Sequence, residues 1–231
     1  MPFATIESLD QEGRGVTHTD GIAIFVEGAL PGEQVEYSSY KRKPSYELAT
    51  TTHILKASAQ RVEPRCRHFG VCGGCSMQHL EPAAQVAGKQ RVLESAFWHL
   101  AKLYPEVIYP AIHGPSWGYR FRARLSARFV PKKGGALVGF RERSSSYVAD
   151  MDSCEVLPPK ISALLRPLRH LIDGLSQPER LPQIEVSIGD IQRAGQCVLV
   201  LRILQPLTPG DETALRRFAD DHDVVIHLQP G

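Results

Sequence analysis

The sequence predicts an α+β chain: a small N-terminal β-barrel (residues 1–58), an irregular cysteine-bearing loop (59–80) and a central α+β domain (81–231). Three observations carry this reading. Short β-rich runs broken by turn signals fill the first sixty residues, with no long 3.6-residue period. Pro64, three glycines and three cysteines then crowd a stretch with few periodic apolar positions. Beyond it, helical and two-residue periods alternate.

Ile22–Val26 is the clearest strand of the first region, bounded by the breaks Glu27-Gly28 and Leu30-Pro31-Gly32. Glu36–Tyr40 and Tyr46–Leu55 supply further strands around the basic Lys41-Arg42-Lys43-Pro44. A closed barrel is the economical architecture for so many short strands, because closure removes exposed sheet edges. After the cysteine loop, Val86, Leu93, Phe97, Leu100 and Leu103 mark one face of a helix over 82–104. From Tyr119 the period becomes two. Arg120, Arg122 and Arg124 alternate with Phe121, Ala123 and Leu125, which sends three guanidiniums to one face of a strand. A turn at Pro131–Gly135 carries Lys132 and Lys133, and Leu137–Arg141 returns as the partner strand. A helix near Lys160–Leu175, bent at Pro167, precedes a hairpin of Ile184–Ile188 and Cys197–Ile203. A helix around Thr213–Ala219 and a strand at Val224–Leu228 begin a βαβ pattern.

At 231 residues the chain is long enough for one large domain or two modest ones, and 42% hydrophobic with 23% charged residues is ordinary for a core-forming protein. The most apolar stretch, Cys197–Leu204, is interrupted by Arg202 and falls far short of a membrane span. The start MPFATIESLD lacks the basic and apolar regions of a secretory signal, so a cytoplasmic chain is expected. The net charge of +2 conceals a gradient: residues 61–133 hold twelve Lys/Arg against four Asp/Glu, while the segments on either side are net acidic. Concentrated positive charge points to a polyanionic partner, or to a solvated basic face.

Cys66, Cys72 and Cys75 follow the spacing C-x5-C-x2-C, and Cys154 lies far downstream. Three soft donors in ten residues with one remote donor is how a chain surrounds a soft metal or a cluster. The spacing is one residue longer than the plant-type ferredoxin pattern, and a structural zinc held by four cysteines is the competing reading. Cys197, opening the run Cys-Val-Leu-Val-Leu, reads as a small core residue.

With these motifs in hand, the chain resembles the iron–sulfur branch of the RNA uracil-C5 methyltransferases. Gly13-Arg14-Gly15 and Phe25–Glu33 are similar to the family's TRAM domain, an OB-like RNA-binding barrel. Pro64-Arg65-Cys66 with Cys72–Leu80 resembles its cluster loop, Gln85 and Lys89 fall on its Gln-x3-Lys positions, and Trp117–Arg120 with Arg122 and Arg124 resembles the opening strand of its central domain. Cys154 falls where the family's fourth cluster ligand lies. The resemblance implies a 4Fe–4S cluster on Cys66, Cys72, Cys75 and Cys154, and RNA contacts from Arg120, Arg122, Arg124, Lys132 and Lys133. It further implies S-adenosylmethionine as methyl donor in the full-length enzyme, and 23S ribosomal RNA as partner of a monomeric protein that meets no membrane. In that chemistry a cysteine thiolate adds to C6 of uracil, C5 then attacks the methyl sulfonium, and a base removes the C5 proton as the thiolate leaves C6.

No Gly-rich strand-to-helix turn with a following acidic residue is found. The family's Rossmann-like catalytic domain is therefore expected to be absent and the central domain truncated. No catalytic residue is assigned, and the chain alone is expected to be inactive. A standalone RNA-binding module and a small iron–sulfur redox protein are the alternative functions.

Overall fold

The computed structural model describes residues 2–189 and 195–231. The chain divides into two compact units: Met1–Arg65 with Ser76–His113, and Cys66–Cys75 with Gly114–Gly231.

The first unit is a six-stranded sheet of β1 (Phe3–Thr5), β2 (Ser8–Leu9), β3 (Gly15–Thr19), β4 (Ile22–Glu27), β5 (Gln34–Arg42) and β6 (Tyr46–Lys56), in the order β1-β5-β6-β4-β3-β2. Asp20 and Gly21, both at positive φ (50° and 79°), form the two-residue turn between β3 and β4. Such a turn matches the twist of a hairpin, and Asp-Gly adopts it readily. Ala4, Ile6, Ile24, Val26, Ala29, Val35, Tyr37 and Ala49 form its core. Gly15 is obligatory there, since a Cβ would lie 2.8 Å from the Ile6 side chain and 3.0 Å from the Ala29 carbonyl.

The turn after β4 closes on Glu33, which is fully buried. Its carboxylate accepts the Leu30 amide at 2.9 Å, the Ser58 amide at 3.1 Å, and Arg61 through Nε at 2.6 Å and Nη2 at 2.8 Å. Arg61 also donates to the Gly28 carbonyl at 2.6 Å. Burial alone would raise the Glu33 pKa, but Arg61 and the two amides outweigh it and hold the carboxyl below its usual range. One carboxylate thus ties the Gly28–Glu33 turn to the segment leaving β6.

Helix α1 (Pro82–Ser95) follows, capped at its start by the Glu81 carboxylate on the Ala84 amide at 3.1 Å, and runs into a π-helical turn over Ala96–Ala101. The apolar stripe expected to seat this helix is largely exposed: Leu93, Leu100 and Leu103 are all open to solvent.

The second unit is a five-stranded sheet of β7 (Arg122–Val130), β8 (Gly135–Gly139), β9 (Gln183–Ile188), β10 (Cys197–Ile203) and β11 (Val224–Pro230), in the order β11-β10-β9-β7-β8. Helices α2 (Pro159–Ala163), α3 (Leu165–Asp173) and α4 (Pro209–His222) complete it. Ala123, Leu125 and Ala127 of β7, Ile184, Val186 and Ile188 of β9, and Cys197, Leu199 and Leu201 of β10 share one core with Ile161, Leu165, Leu168, Ile172, Leu215 and Phe218 of the helices. The helical break falls at Leu164 rather than at Pro167. A proline ring clashes with the carbonyl four residues earlier, and that is Ala163, so the interruption precedes the proline. Thr208 and Asp211 form a reciprocal capping box at the start of α4, and Asp211 also accepts the amide and hydroxyl of Ser176 at 2.8 and 2.6 Å.

The fold class departs from expectation. A segregated α+β arrangement would leave antiparallel sheets, yet both sheets are mixed: β4 pairs parallel with β6, and β10 pairs parallel with β11. Parallel neighbours need a crossover, and the chain supplies β5 in one unit and α4 in the other. The outer strands β1 and β2 are consecutive in the chain, separated by Ile6 and Glu7: the Ile6 amide donates to the Glu33 carbonyl at 2.9 Å and the Glu7 amide to the Val16 carbonyl at 2.8 Å, so residues 3–9 run from one edge of the sheet to the other. No helix among the described residues is long and apolar enough to cross a membrane.

Removing one member of a buried ion pair strands the other charge, so Arg61→Ala is expected to destabilise the first unit by about 3 kcal/mol, with part recovered on adding Glu33→Gln. A depressed carboxylate contributes stability that is present above its unfolded pKa of about 4.3 and is lost as the pH falls through the lower folded value. Glu33→Gln should therefore flatten the acid limb of stability against pH. Urea denaturation followed by circular dichroism between neutral pH and pH 2 checks both; an Arg61→Ala midpoint equal to wild type would refute the first.

Candidate functional site

All four clustered cysteines fall in the second unit, because Cys66–Cys75 folds with residues 114–231 and with Cys154. The loop is laid against the segment after β8. Gly73 donates to the Arg141 carbonyl at 2.9 Å, Arg143 donates to the Val71 carbonyl at 2.8 Å, and Cys72 donates to the His68 carbonyl at 2.9 Å. A Cβ on Gly73 would lie 3.1 Å from the Arg141 carbonyl oxygen, and one on Gly74 would lie 3.0 Å from the Phe140 ring. The Gly-Gly pair is what lets the loop lie so close. The Gly74 amide points at the Cys72 sulfur, 3.4 Å away.

Asp152 fastens the loop to the Cys154 segment. Its carboxylate takes the Arg67 guanidinium, His68 Nε2 at 3.2 Å and Arg166 Nη2 of α3 at 3.0 Å. The Arg67 hydrogen bond, with His68 and Arg166 behind it, holds the Asp152 carboxyl far below the usual range despite its desolvation. Two residues on, the Cys154 amide donates to Ser162 Oγ at 2.8 Å.

Burial pushes the Cys154 thiol up to about 11, against the amides of Leu157 and Val156, and the charges of Cys75 and Cys66 add to the rise. Cys72 is pushed up by the same burial and by the same two neighbours, with the Gly74 amide opposing. Cys66 and Cys75 therefore lie within electrostatic reach of both Cys72 and Cys154. Among the described residues, however, no three His, Cys, Asp or Glu side chains converge on a point where a single metal ion could sit. Cys197 stands apart in β10, fully buried in the core, and burial raises its thiol as well.

The predicted basic residues are separated. Arg122 and Arg124 project from the exposed face of β7 and share one partner, Glu185 of β9: Arg122 Nη2 at 3.2 Å, Arg124 Nε at 3.0 Å and Nη2 at 2.8 Å. Arg120 precedes the strand, and its guanidinium lies over the Phe140 ring, 4.9 Å from the centroid, beside the cysteine loop. Lys132 and Lys133 are exposed in the turn beyond Val130. At roughly 3.3 Å per residue, about 30 Å of strand lies between them and Arg122. The face holds two exposed arginines that the motif reading passed over, Arg128 on β7 and Arg202 on β10, with His227 on β11. Continuing the alternation past Leu125 finds Arg128. Glu185 and Asp152 have no local signature, because their partners are remote in sequence. Gln85 serves structure, its amide donating to the carbonyls of Met77 and Leu80 at 3.1 and 2.8 Å.

The fold is similar to that of a solved uracil-C5 methyltransferase. The crystal structure of Pyrococcus abyssi tRNA (uracil-54, C5)-methyltransferase in complex with S-adenosyl-L-homocysteine matches 92% of this chain and 48% of its own, with a TM-score of 0.63 at 20% identity. This overturns the expected fold class: both mixed sheets lie within a methyltransferase fold, and the α+β reading with its Rossmann-like part absent does not stand.

Sequence relatives narrow the class. The chain is 64% identical over 231 residues to the Aromatoleum aromaticum 23S rRNA (uracil(1939)-C(5))-methyltransferase RlmD, covering 100% of this chain and 52% of the relative. RlmD of Nitrosospira multiformis is 60% identical over 227 residues, covering 98% and 51%, and that of Burkholderia cenocepacia is 60% identical over 235 residues, covering 99% and 50%. The chain is thus a relative of the RNA uracil-C5 methyltransferases along its whole length, and it spans about half the length of these curated relatives. No protein-family model matches it.

Asp152→Ala removes the shared anchor of Arg67, His68 and Arg166. In the metal-free protein, amide hydrogen exchange at Cys72, Gly73 and Arg143 is expected to accelerate at least about tenfold, as local opening becomes cheaper. Unchanged exchange would show that the backbone bonds to residues 141–143 hold the loop without Asp152.

Proposed function

We propose that these residues form the RNA-recognising, iron–sulfur-containing part of a cytoplasmic S-adenosylmethionine-dependent methyltransferase that converts a uridine of 23S ribosomal RNA to 5-methyluridine. The observation that carries this is 60–64% identity along the whole chain to proteins of that name. A target base must leave its stack before methylation, at a cost of a few kcal/mol that binding elsewhere on the RNA offsets. Arg122 and Arg124 on the open sheet face, with Arg120 near the cysteine loop and Lys132 and Lys133 at the far end of β7, are the proposed phosphate-binding groups. Cys197 is no candidate for the attacking thiolate, since it is sealed in the core.

S-adenosylmethionine would supply the methyl group. The described residues do not fit it at the βαβ crossover, because the α4 N-terminus is already filled by Thr208 and Asp211.

Cys66, Cys72, Cys75 and Cys154 are the proposed ligands of one 4Fe–4S cluster. Four thiols in one unit, with an amide aimed at the Cys72 sulfur, suit a polythiolate centre larger than a single ion. When bound, the cluster would brace the loop against the Cys154 segment. Asp152 and Ser162 position that segment whether or not it is bound.

RNA binding is tested by titrating a 23S ribosomal RNA stem-loop at several salt concentrations. Arg122→Ala with Arg124→Ala should weaken binding and flatten the salt slope by about 0.7–0.9 log units for each phosphate no longer neutralised. Unchanged affinity and slope in a folded variant would refute the assignment of this face. For the cysteines, anaerobically purified protein should hold about four irons per chain. Cys154→Ser should lose them and Cys197→Ser keep them, while a colourless protein with one zinc would overturn the cluster.

A further inference from the structure

The face of the second sheet that turns away from its helices is basic. Its outward strand positions carry Arg122, Arg124, Arg128, Arg202 and His227, with Ser126, Gln183, Ser187 and Gln229 as polar neighbours, Val198, Val200 and Val225 half-buried between them, and Leu137 buried opposite Arg128. Among the described strand positions of that face there is one acid, Glu185. It sits directly opposite Arg124 in the β7–β9 register, one pair of positions from Arg122 opposite Ser187.

The geometry is specific. Oε1 of Glu185 accepts Nε and Nη2 of Arg124 at 3.0 and 2.8 Å, and Oε2 accepts Nη2 of Arg122 at 3.2 Å. One planar anion therefore engages two guanidiniums through two oxygens, the arrangement in which a phosphate would take them. The arginine side chains are 79% and 68% exposed, whereas Glu185 is only 21% exposed, tucked between them. Exposed ion pairs contribute little to a fold. An acid at the centre of a cationic face has its main effect on what that face binds.

We propose that Glu185 is an internal stand-in for an RNA phosphate. It holds Arg122 and Arg124 side by side and must give them up before they engage RNA, so it lowers the affinity of the face for any phosphodiester. Arg128 and Arg202 set the long-range attraction, and the Glu185 pairing sets the threshold an RNA must exceed to seat. This rests on the reading that the sheet face meets RNA.

The test is a thermodynamic cycle on the whole chain, with a 23S ribosomal RNA stem-loop as probe at low salt. Four proteins are titrated: wild type, Glu185→Gln, Arg122→Ala with Arg124→Ala, and the triple variant. Glutamine keeps the shape and removes the charge, and Gln183 already occupies a neighbouring site on that face. Glu185→Gln is expected to tighten binding about threefold to tenfold, the equivalent of two released surface ion pairs. Most of that gain should vanish in the triple variant. Unchanged or weaker binding by Glu185→Gln would overturn the proposal, and so would a gain of equal size in the triple variant, which would reflect net charge alone. If the double alanine variant binds as well as wild type, the RNA reading of the face fails, and this proposal with it.

Discussion

A loop that buries little apolar surface must be held by something other than a core, and here it is held by one carboxylate. Between Cys66 and Cys75 only Cys72 is buried. Asp152 gathers Arg67 and His68 from the loop and Arg166 from α3. Each pair alone, partly open to solvent, would be weak. Converging on one group they brace one another, and the backbone bonds from residues 71 and 73 to residues 143 and 141 complete the seat. The Cys66–Cys75 loop and the Cys154 segment are held together by this convergence.

The same logic governs the arginine face. A sheet covered by helices on one side turns its charged residues to the other, and the register then decides which of them meet. Arg124 opposite Glu185 is a consequence of β7 and β9 pairing as they do. Had the pairing slipped by one residue, the arginines would have faced the core.

What the sequence reveals follows from how local each cause is. The alternation over residues 122–128 is legible because it depends on strand geometry alone: Ala123, Leu125 and Ala127 turn inward, while Arg122, Arg124 and Arg128 turn outward. Arg120 obeys the same count but not the same strand. Its amide donates to the Val156 carbonyl at 2.9 Å and its guanidinium lies over Phe140, neither of which local periodicity encodes. The parallel pairing of β4 with β6 is equally hidden, since the two strands are separated in sequence by the strand that pairs antiparallel with β6. The apolar stripe of α1 is legible as a pattern, yet its residues remain open to solvent. The cysteine spacing is plain in the sequence, whereas Asp152 lies 85 residues from Arg67, its partner in the cysteine loop.

That separation also has a consequence in time. The last cysteine of the loop, Cys75, precedes Cys154 by 79 residues. At about 5–20 residues per second, a translating ribosome takes roughly 4–16 s to cover that distance. Throughout that interval three thiols are outside without the fourth. The carboxylate that anchors the loop emerges only two residues ahead of that fourth thiol, so clasp and final sulfur arrive almost together. The order of synthesis makes closure of the loop a late event, set by the appearance of one aspartate.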